Sequence, residues 1–312
     1  MKAFKDLTVL VTAAGNQYML GMAECLHDNG ERNIRIVGVD MTEDVTVLQM
    51  MDAVYKTSRA TSPTYIDELL DICKKEKVDI IMPIMSAELI ALAENKDRFA
   101  EIGTIVSISN IDSLKICNNK YNLYSFMKQQ GLTVPKFTKI TTFSEFDDAI
   151  KYVGYPEKGV CIKATELSGS RGIRIIDPTK SRYDILFGEK PNSFFTSYEE
   201  LKEILSGHEE LPELMIMEYL PGEEFSVDLV ADNGKVLYMC ARQSNSILAS
   251  IPQTATTFHE PRAYKLCEDI VKALHFDGNA DFDFKYDETA SRSLWRSILA
   301  WRRQWLFSSM PE

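Results

Sequence analysis

The sequence predicts a two-part α/β protein, a doubly wound parallel sheet followed by an α+β unit. Three observations predict it. Short apolar runs alternate with helical stretches through the first third, the pattern of a parallel sheet covered by helices on both faces. Later apolar runs are joined as antiparallel pairs, most plainly around Asp232-Asn233-Gly234. Finally, 312 residues with 45% hydrophobic content suffice for two or three compact units with real cores.

Leu7 to Thr12 is a largely apolar run suited to a buried strand, and Ala13-Ala14-Gly15-Asn16 turns it into a helix ending near Asn29-Gly30. Ile34 to Asp40 is a second strand. A strand, a glycine turn and a later acid invite a dinucleotide-binding reading, but one glycine stands where that fingerprint requires three. The favoured reading is a scaffold whose glycine permits the turn. Thr64 to Lys75 has helical periodicity, and Val78 to Pro83 and Ile105 to Ile108 are further strands. Asp112 to Gln130 reads as one helix capped by its Asp and closed by Gly131. A short helix begins at Thr142 to Phe146, capped by Thr142 or Ser144. Residues 177 to 198, polar with two prolines and no clear period, read as a loop or insertion. Phe225 to Val230 and Lys235 to Ala241 are antiparallel strands, Pro261 to Leu274 is helical, and Ala280 to Tyr286 alternates strictly as a strand with one charged face.

The net charge of −11 argues against a general nucleic-acid binder. It leaves room for a phosphorylated small ligand, because local Lys and Arg outvote distant acids within a Debye length of roughly 8 Å. Six widely spaced cysteines, with no CxxC and no Cys/His cluster, predict free thiols in a reducing compartment. The N-terminus lacks a signal peptide, and no apolar run approaches the roughly 20 residues of a membrane span. The expected location is cytoplasmic.

The chemistry concentrates between Lys163 and Asp228. Lys163 ends the apolar run Gly159-Val160-Cys161-Ile162, where burying an ammonium without a partner costs several kcal/mol. It is either a surface lysine at a strand end or a cation aimed at an anionic ligand. The loop Ser168-Gly169-Ser170-Arg171-Gly172 follows, offering backbone N–H donors suited to phosphates, or simply turning the chain. No Gly-Lys-Ser/Thr follows the glycines, so it is not a Walker A loop. Met215-Ile216-Met217-Glu218-Tyr219-Leu220 is an apolar strand whose end can offer N–H and C=O groups to an adenine edge. Glu224, four residues past Leu220, could accept from ribose hydroxyls; the bland reading is a hairpin with a solvated acidic tip. Asp281 and Asp283 share a strand face, as surface acids or as carboxylates for Mg²⁺ beside a polyphosphate.

Taken in order, Lys120 after Asn118-Asn119, Lys163, the Gly/Ser loop, the hinge Glu218-Tyr219-Leu220-Pro221-Gly222-Glu223-Glu224-Phe225-Ser226-Val227-Asp228 and the late Asp-bearing strand resemble the ATP-grasp superfamily. Within it the sequence looks most like the carbamoyl-phosphate synthase large-chain group, with D-alanine–D-alanine ligase-like enzymes next. The resemblance covers about residues 5 to 288. It implies a pre-ATP-grasp domain over 1–112 and an ATP-grasp domain over 113–290, with a lid subdomain over about 135–220. By the same resemblance, Lys120, Lys163, Ser168, Gly169, Ser170 and Gly172 contact ATP phosphates. Glu218, Tyr219 and Leu220 take the adenine, Glu224 holds ribose, Asp283 helps hold Mg²⁺, and Arg242 faces the phosphates or acyl group. The implied chemistry is ATP-dependent ligation of a small-molecule carboxylate to an amine through an acyl phosphate. No nucleic acid or membrane is implied as partner, and a homodimer is compatible with it. A non-catalytic nucleotide-binding or regulatory protein is the alternative.

The tail, 291–312, departs from the family. A Glu-x-Asn-Pro-Arg-like strand supplying the main metal carboxylate belongs there, but all three tryptophans fall in the tail and its one acid is Glu312. Read from the third base of the Ser291 codon, permitted codons yield PFPLEINPRVAATVAVFVDAG. Its Glu straddles the codons of Trp295 and Arg296, a dozen residues after Asp283. The tail is therefore expected to be a frameshift product, with a genuine basic amphipathic end as the alternative.

Overall fold

The computed structural model describes residues 4–16, 19–42, 46–167, 171–248 and 251–286. Ser168, Gly169, Ser170 and the tail lie outside the described residues. The protein is mixed α/β, with a parallel sheet first and antiparallel sheets after it.

Strands β1 (Leu7–Thr12), β2 (Ile34–Asp40), β3 (Ala53–Lys56), β4 (Ile80–Met82) and β5 (Ile105–Val106) form one parallel sheet in the order β3-β2-β1-β4-β5. Helices α1 (Met19–His27), α2 (Tyr65–Glu76), α3 (Leu89–Glu94) and α4 (Lys96–Glu101) accompany it. Leu10, Val37 and Ile81 face Leu69 and Phe99 in one core, while Val9, Val11 and Ile36 face Met19 and Met22 in another. Both faces of the strands are buried, which explains why they read as continuous apolar runs rather than alternating ones.

The predicted single helix over 112–130 is instead two, α5 (Ile111–Asn118) and α6 (Lys120–Gln129). Asn119 is extended, with φ −113° and ψ 116°. The caps are Asn110 and Asn119, whose side chains accept the N–H of Ser113 and Asn122, and not Asp112. Gly131, at φ +71°, follows α6.

A second sheet has the order β6-β9-β7-β8, from β6 (Phe137–Thr142), β7 (Val160–Ala164), β8 (Ile173–Ile176) and β9 (Glu210–Glu218). Helix α7 (Phe146–Val153) covers it behind a capping box between Thr142 and Glu145. The region expected to be a loop contains α8 (Arg182–Gly188), started by a Ser181/Asp184 capping box too short to register as a period, and it leads to α9 (Tyr198–Ser206).

The third sheet runs β12-β11-β10-β13, from β10 (Glu224–Asp232), β11 (Lys235–Leu248), β12 (Ile251–Phe258) and β13 (Gly278–Lys285), with α10 (Pro261–Ala273) packed on it. Asn233 and Gly234, at φ +44° and +85°, make the expected β10–β11 turn. One apolar cluster joins this sheet to the first, through Leu114, Cys117, Leu123 and Met127 of α5 and α6 to Phe225, Ile270 and Phe282. Among the described residues no helix is long and apolar enough to cross a membrane.

Candidate functional site

Lys163 lies inside β7, paired with Ile173 on one side and Met215 on the other, and is 3% exposed. Neither surface lysine nor turn residue, it is a cation held in a sheet. Burial pushes its pKa down; Lys285 pushes the same way, while Glu224 and Asp283 oppose it.

Lys120 opens α6 and is also buried. Its Nζ donates to the carbonyls of Ala164 (3.1 Å), Thr165 (3.3 Å) and Leu167 (2.8 Å), at the base of the β7–β8 connection. Burial first, then the Lys163 charge, lowers its pKa from 10.5 to about 8. Two neighbouring ammonium groups, one held by neutral carbonyls, form a positive focus in a poorly hydrated place. An anion entering it gains attraction without displacing a salt bridge from Lys120.

Gly172 enters β8 at φ +69°, and a Cβ there would lie 2.8 Å from Cβ of Ala164. The position requires glycine for its backbone and for its approach to β7. Its carbonyl accepts the Ala164 N–H at 3.1 Å.

Glu218 ends β9 opposite Val160, three residues and about 10 Å along β7 from Lys163. The Glu218 and Tyr219 N–H groups donate within the protein, to Lys136 O (3.0 Å) and Gly159 O (2.8 Å). The Glu218 carboxylate accepts from the Lys136 N–H (3.0 Å) and pairs with Lys158. Of the three hinge amides, the Leu220 N–H alone makes no bond to another described residue. Tyr219 packs edge-on against Phe195, with the Lys285 Nζ 5.6 Å from its ring centroid. Glu224 is exposed and in register with Lys285.

Asp281 and Asp283 share a buried face of β13, but their roles divide. Asp283 accepts from the Ser226 hydroxyl at 2.7 Å. Asp281 accepts from Nη2 of Arg242 at 3.1 Å. Arg242 Nε also donates to Asp228 at 2.5 Å, and its Nη2 to the other Asp228 oxygen at 3.2 Å. Burial works against the Arg242 charge, but Asp281 and then Asp228 outweigh it and hold its pKa above the ordinary value. Arg242 is thus clamped by two carboxylates, both oxygens of Asp228 and one oxygen of Asp281.

Among the described residues no group of three or more His, Cys, Asp or Glu side chains could hold a metal ion. Mg²⁺ commonly takes only one or two protein carboxylates and completes its shell with phosphate oxygens and water. Asp283 fits that use once a polyphosphate is present.

Sequence reasoning missed Asn119, Glu166, Glu213 and Lys285 as contributors. Lys285 had a local signal, a charge at the end of a strictly alternating strand. The others meet only through the fold.

Residues 9–107 match the family described as the PylC-like N-terminal domain, and residues 210–294 match the ATP-grasp family of a biosynthetic pathway with the Ter operon. The carbamoyl phosphate synthase large chain of Clostridium acetobutylicum is 22% identical over 233 residues, covering 72% of this chain and 20% of that protein. Phosphoribosylamine–glycine ligase of Fusobacterium nucleatum is 25% identical over 171 residues, 55% of this chain and 36% of that one. The chain thus spans well under half the length of these curated relatives. Among solved structures, N5-carboxyaminoimidazole synthetase from Staphylococcus aureus superposes with a TM-score of 0.64 at 14% identity, over 95% of this chain and 70% of that one. A biotin carboxylase–ATP-analogue complex from Campylobacter jejuni gives 0.65 at 15% identity, over 93% and 64%. At such identities these structures speak to the fold.

Proposed function

We propose that the chain is an ATP-grasp protein that binds ATP between its two antiparallel sheets as a carboxylate–amine ligase working through an acyl phosphate, a reading supported by the family match over 210–294 and by the fold. One observation carries the reading: Lys120 and Lys163 are both buried, the Lys120 ammonium bonding the carbonyl of Ala164 next to Lys163, at the opposite end of β7 from Glu218–Leu220.

In this reading the two ammonium groups neutralise the polyphosphate, the Leu220 N–H meets the adenine edge, and Glu224 takes ribose. Asp283, oriented by Ser226, presents a carboxylate toward a Mg²⁺ ion, which supplies charge neutralisation at the transferred phosphoryl group when bound. Arg242, fixed by Asp228 and Asp281, faces the phosphates or the acyl group. The carboxylate substrate attacks the γ-phosphorus, ADP leaves, and an amine then displaces phosphate from the acyl carbon. No protein nucleophile takes part.

The tail, 291–312, carries no Glu-x-Asn-Pro-Arg motif. The chain as written is therefore proposed to bind nucleotide with little turnover. Calorimetric titration of ATP and ATP-dependent phosphate release, measured with and without a restored frame, test this. Both forms are expected to bind ATP and only the restored one to turn over. Equal, robust turnover in both overturns the impairment, binding by neither overturns the nucleotide site, and binding without turnover in both favours a non-catalytic regulatory protein.

A further inference from the structure

Asn119 sits in the break between α5 and α6, 8% exposed, and every polar atom of its side chain is engaged. Its Oδ1 accepts the Asn122 N–H at 3.0 Å, capping α6. Its Nδ2 donates to two carboxylates, Oε1 of Glu166 (3.3 Å) and Oε1 of Glu213 (3.2 Å). Glu213 lies in β9 and its other oxygen pairs with Lys139 of β6 at 2.7 Å. Glu166 lies at the base of the β7–β8 connection, whose carbonyls hold the Lys120 ammonium. The main chain reinforces the junction: Lys120 N–H donates to Thr165 O (3.0 Å) and Thr165 N–H to Glu213 O (3.1 Å).

A helix cap alone does not explain an asparagine here. Asp and Ser cap as well as Asn, and an anion suits a helix N-terminus better. Only Asn combines an acceptor for the cap with two N–H donors for a pair of carboxylates. An Asp in its place would add a third negative charge against Glu166 and Glu213.

We propose that Asn119 is a positioning residue for Lys120. Its amide clamps Glu166 to Glu213, setting the start of α6 and the loop base at the spacing that presents the ammonium to phosphate. This rests on the nucleotide reading above, so the test has two readouts. One is amide hydrogen exchange over Ala164–Leu167 in the ligand-free protein; the other is ATP affinity by calorimetry. The variants are N119D, which keeps the cap and reverses the clamp, N119S, which keeps the cap and removes the clamp, and the double variant N119D/E213Q, which restores an amide facing a carboxylate.

N119D is expected to speed exchange at Thr165 and Leu167 by at least tenfold and to raise the ATP Kd roughly tenfold. N119S should fall between it and wild type, and N119D/E213Q should recover most of both losses. Wild-type behaviour of N119D in both readouts overturns the proposal. Faster exchange with unchanged ATP affinity, in a chain that does bind ATP, also overturns it, because the clamp would then not position Lys120. If the wild-type chain binds no ATP the nucleotide reading fails by itself, and the exchange rates alone decide whether the clamp exists.

Discussion

Two regions of the molecule gather buried polar groups at strand ends, and they do so in opposite ways. At the carboxyl ends of β1 and β4, Glu88 is 1% exposed and accepts from Thr12 Oγ1 (2.6 Å), Tyr65 OH (2.5 Å) and the N–H groups of Ile84 (2.9 Å) and Met85 (2.8 Å). Nearby, Asp40 accepts the N–H groups of Gly15 (2.9 Å) and Thr42 (3.1 Å). This crevice lies where the strand order reverses, the place open α/β sheets commonly bind ligands. Its carboxylates are instead spent on internal donors, and the Asp40 of the dinucleotide-like pattern secures the glycine turn. At the β7–β8 junction, by contrast, Glu166 and Glu213 are tied to the Asn119 amide, and the Lys120 ammonium rests on neutral carbonyls that the proposed phosphate would replace. Carboxylates closed by their own donors make a scaffold, whereas cations held by dipoles suit the receptor proposed above.

The comparison breaks most readily at Glu88. Glu88→Ala strands the Thr12 and Tyr65 hydroxyl donors in the core and should cost about 3 kcal/mol of stability, read from denaturant unfolding, while folded protein keeps its ATP affinity. A large loss of affinity in folded protein would make the first sheet part of the receptor. Lys163→Met removes a charge that burial disfavours. It should weaken ATP binding by roughly a hundredfold and leave the melting temperature unchanged or higher. A matching loss of stability would return Lys163 to the scaffold class.

The smallest effect sharpens the distinction through pH. Lys120 titrates near 8 when folded against 10.5 in its unperturbed form, so between those values the unfolded chain binds more protons. Its contribution to stability therefore rises as pH climbs from about 8 toward 10.5, and its burial cost is fully felt below 8. Phosphate favours the charged form, so at pH 8.5, where ATP is fully ionised, binding should take up a fraction of a proton, and at pH 6.5 Lys120 should contribute none. Calorimetry in buffers of different ionisation enthalpy measures this, and no uptake at either pH would remove Lys120 from the phosphate site.

Strands β1 and β2 were legible to their limits because two-sided burial writes itself locally as apolar runs. The four-residue edge strand β3 was missed, and β4 and β5 are shorter than the runs Val78–Pro83 and Ile105–Ile108. The β10–β11 turn was legible because Asn233-Gly234 suits positive φ. Lys163 could be singled out because a cation inside Val160–Ala164 violates the pattern around it. The break at Asn119 escaped notice because a polar residue in an amphipathic stretch looks like a solvated face. Its partners, Glu166 and Glu213, stand 47 and 94 residues away. The pairing of Arg242 with Asp228 and Asp281 is likewise a property of strand register, invisible to periodicity. Helix α8 was missed because seven residues hold fewer than two turns of signal.

The apolar cluster that runs from the first sheet through α5 and α6 into the third has a consequence for modularity. A cut near residue 112 would leave Leu114, Cys117, Leu123 and Met127 on one fragment and Leu10, Leu69 and Phe99 on the other, each set stripped of its complement. Neither fragment could be exchanged between proteins like a cassette without carrying its seam along. Grafting the antiparallel part onto another protein's parallel-sheet part is therefore a problem of matching two surfaces, and α5 and α6 are where that match is made.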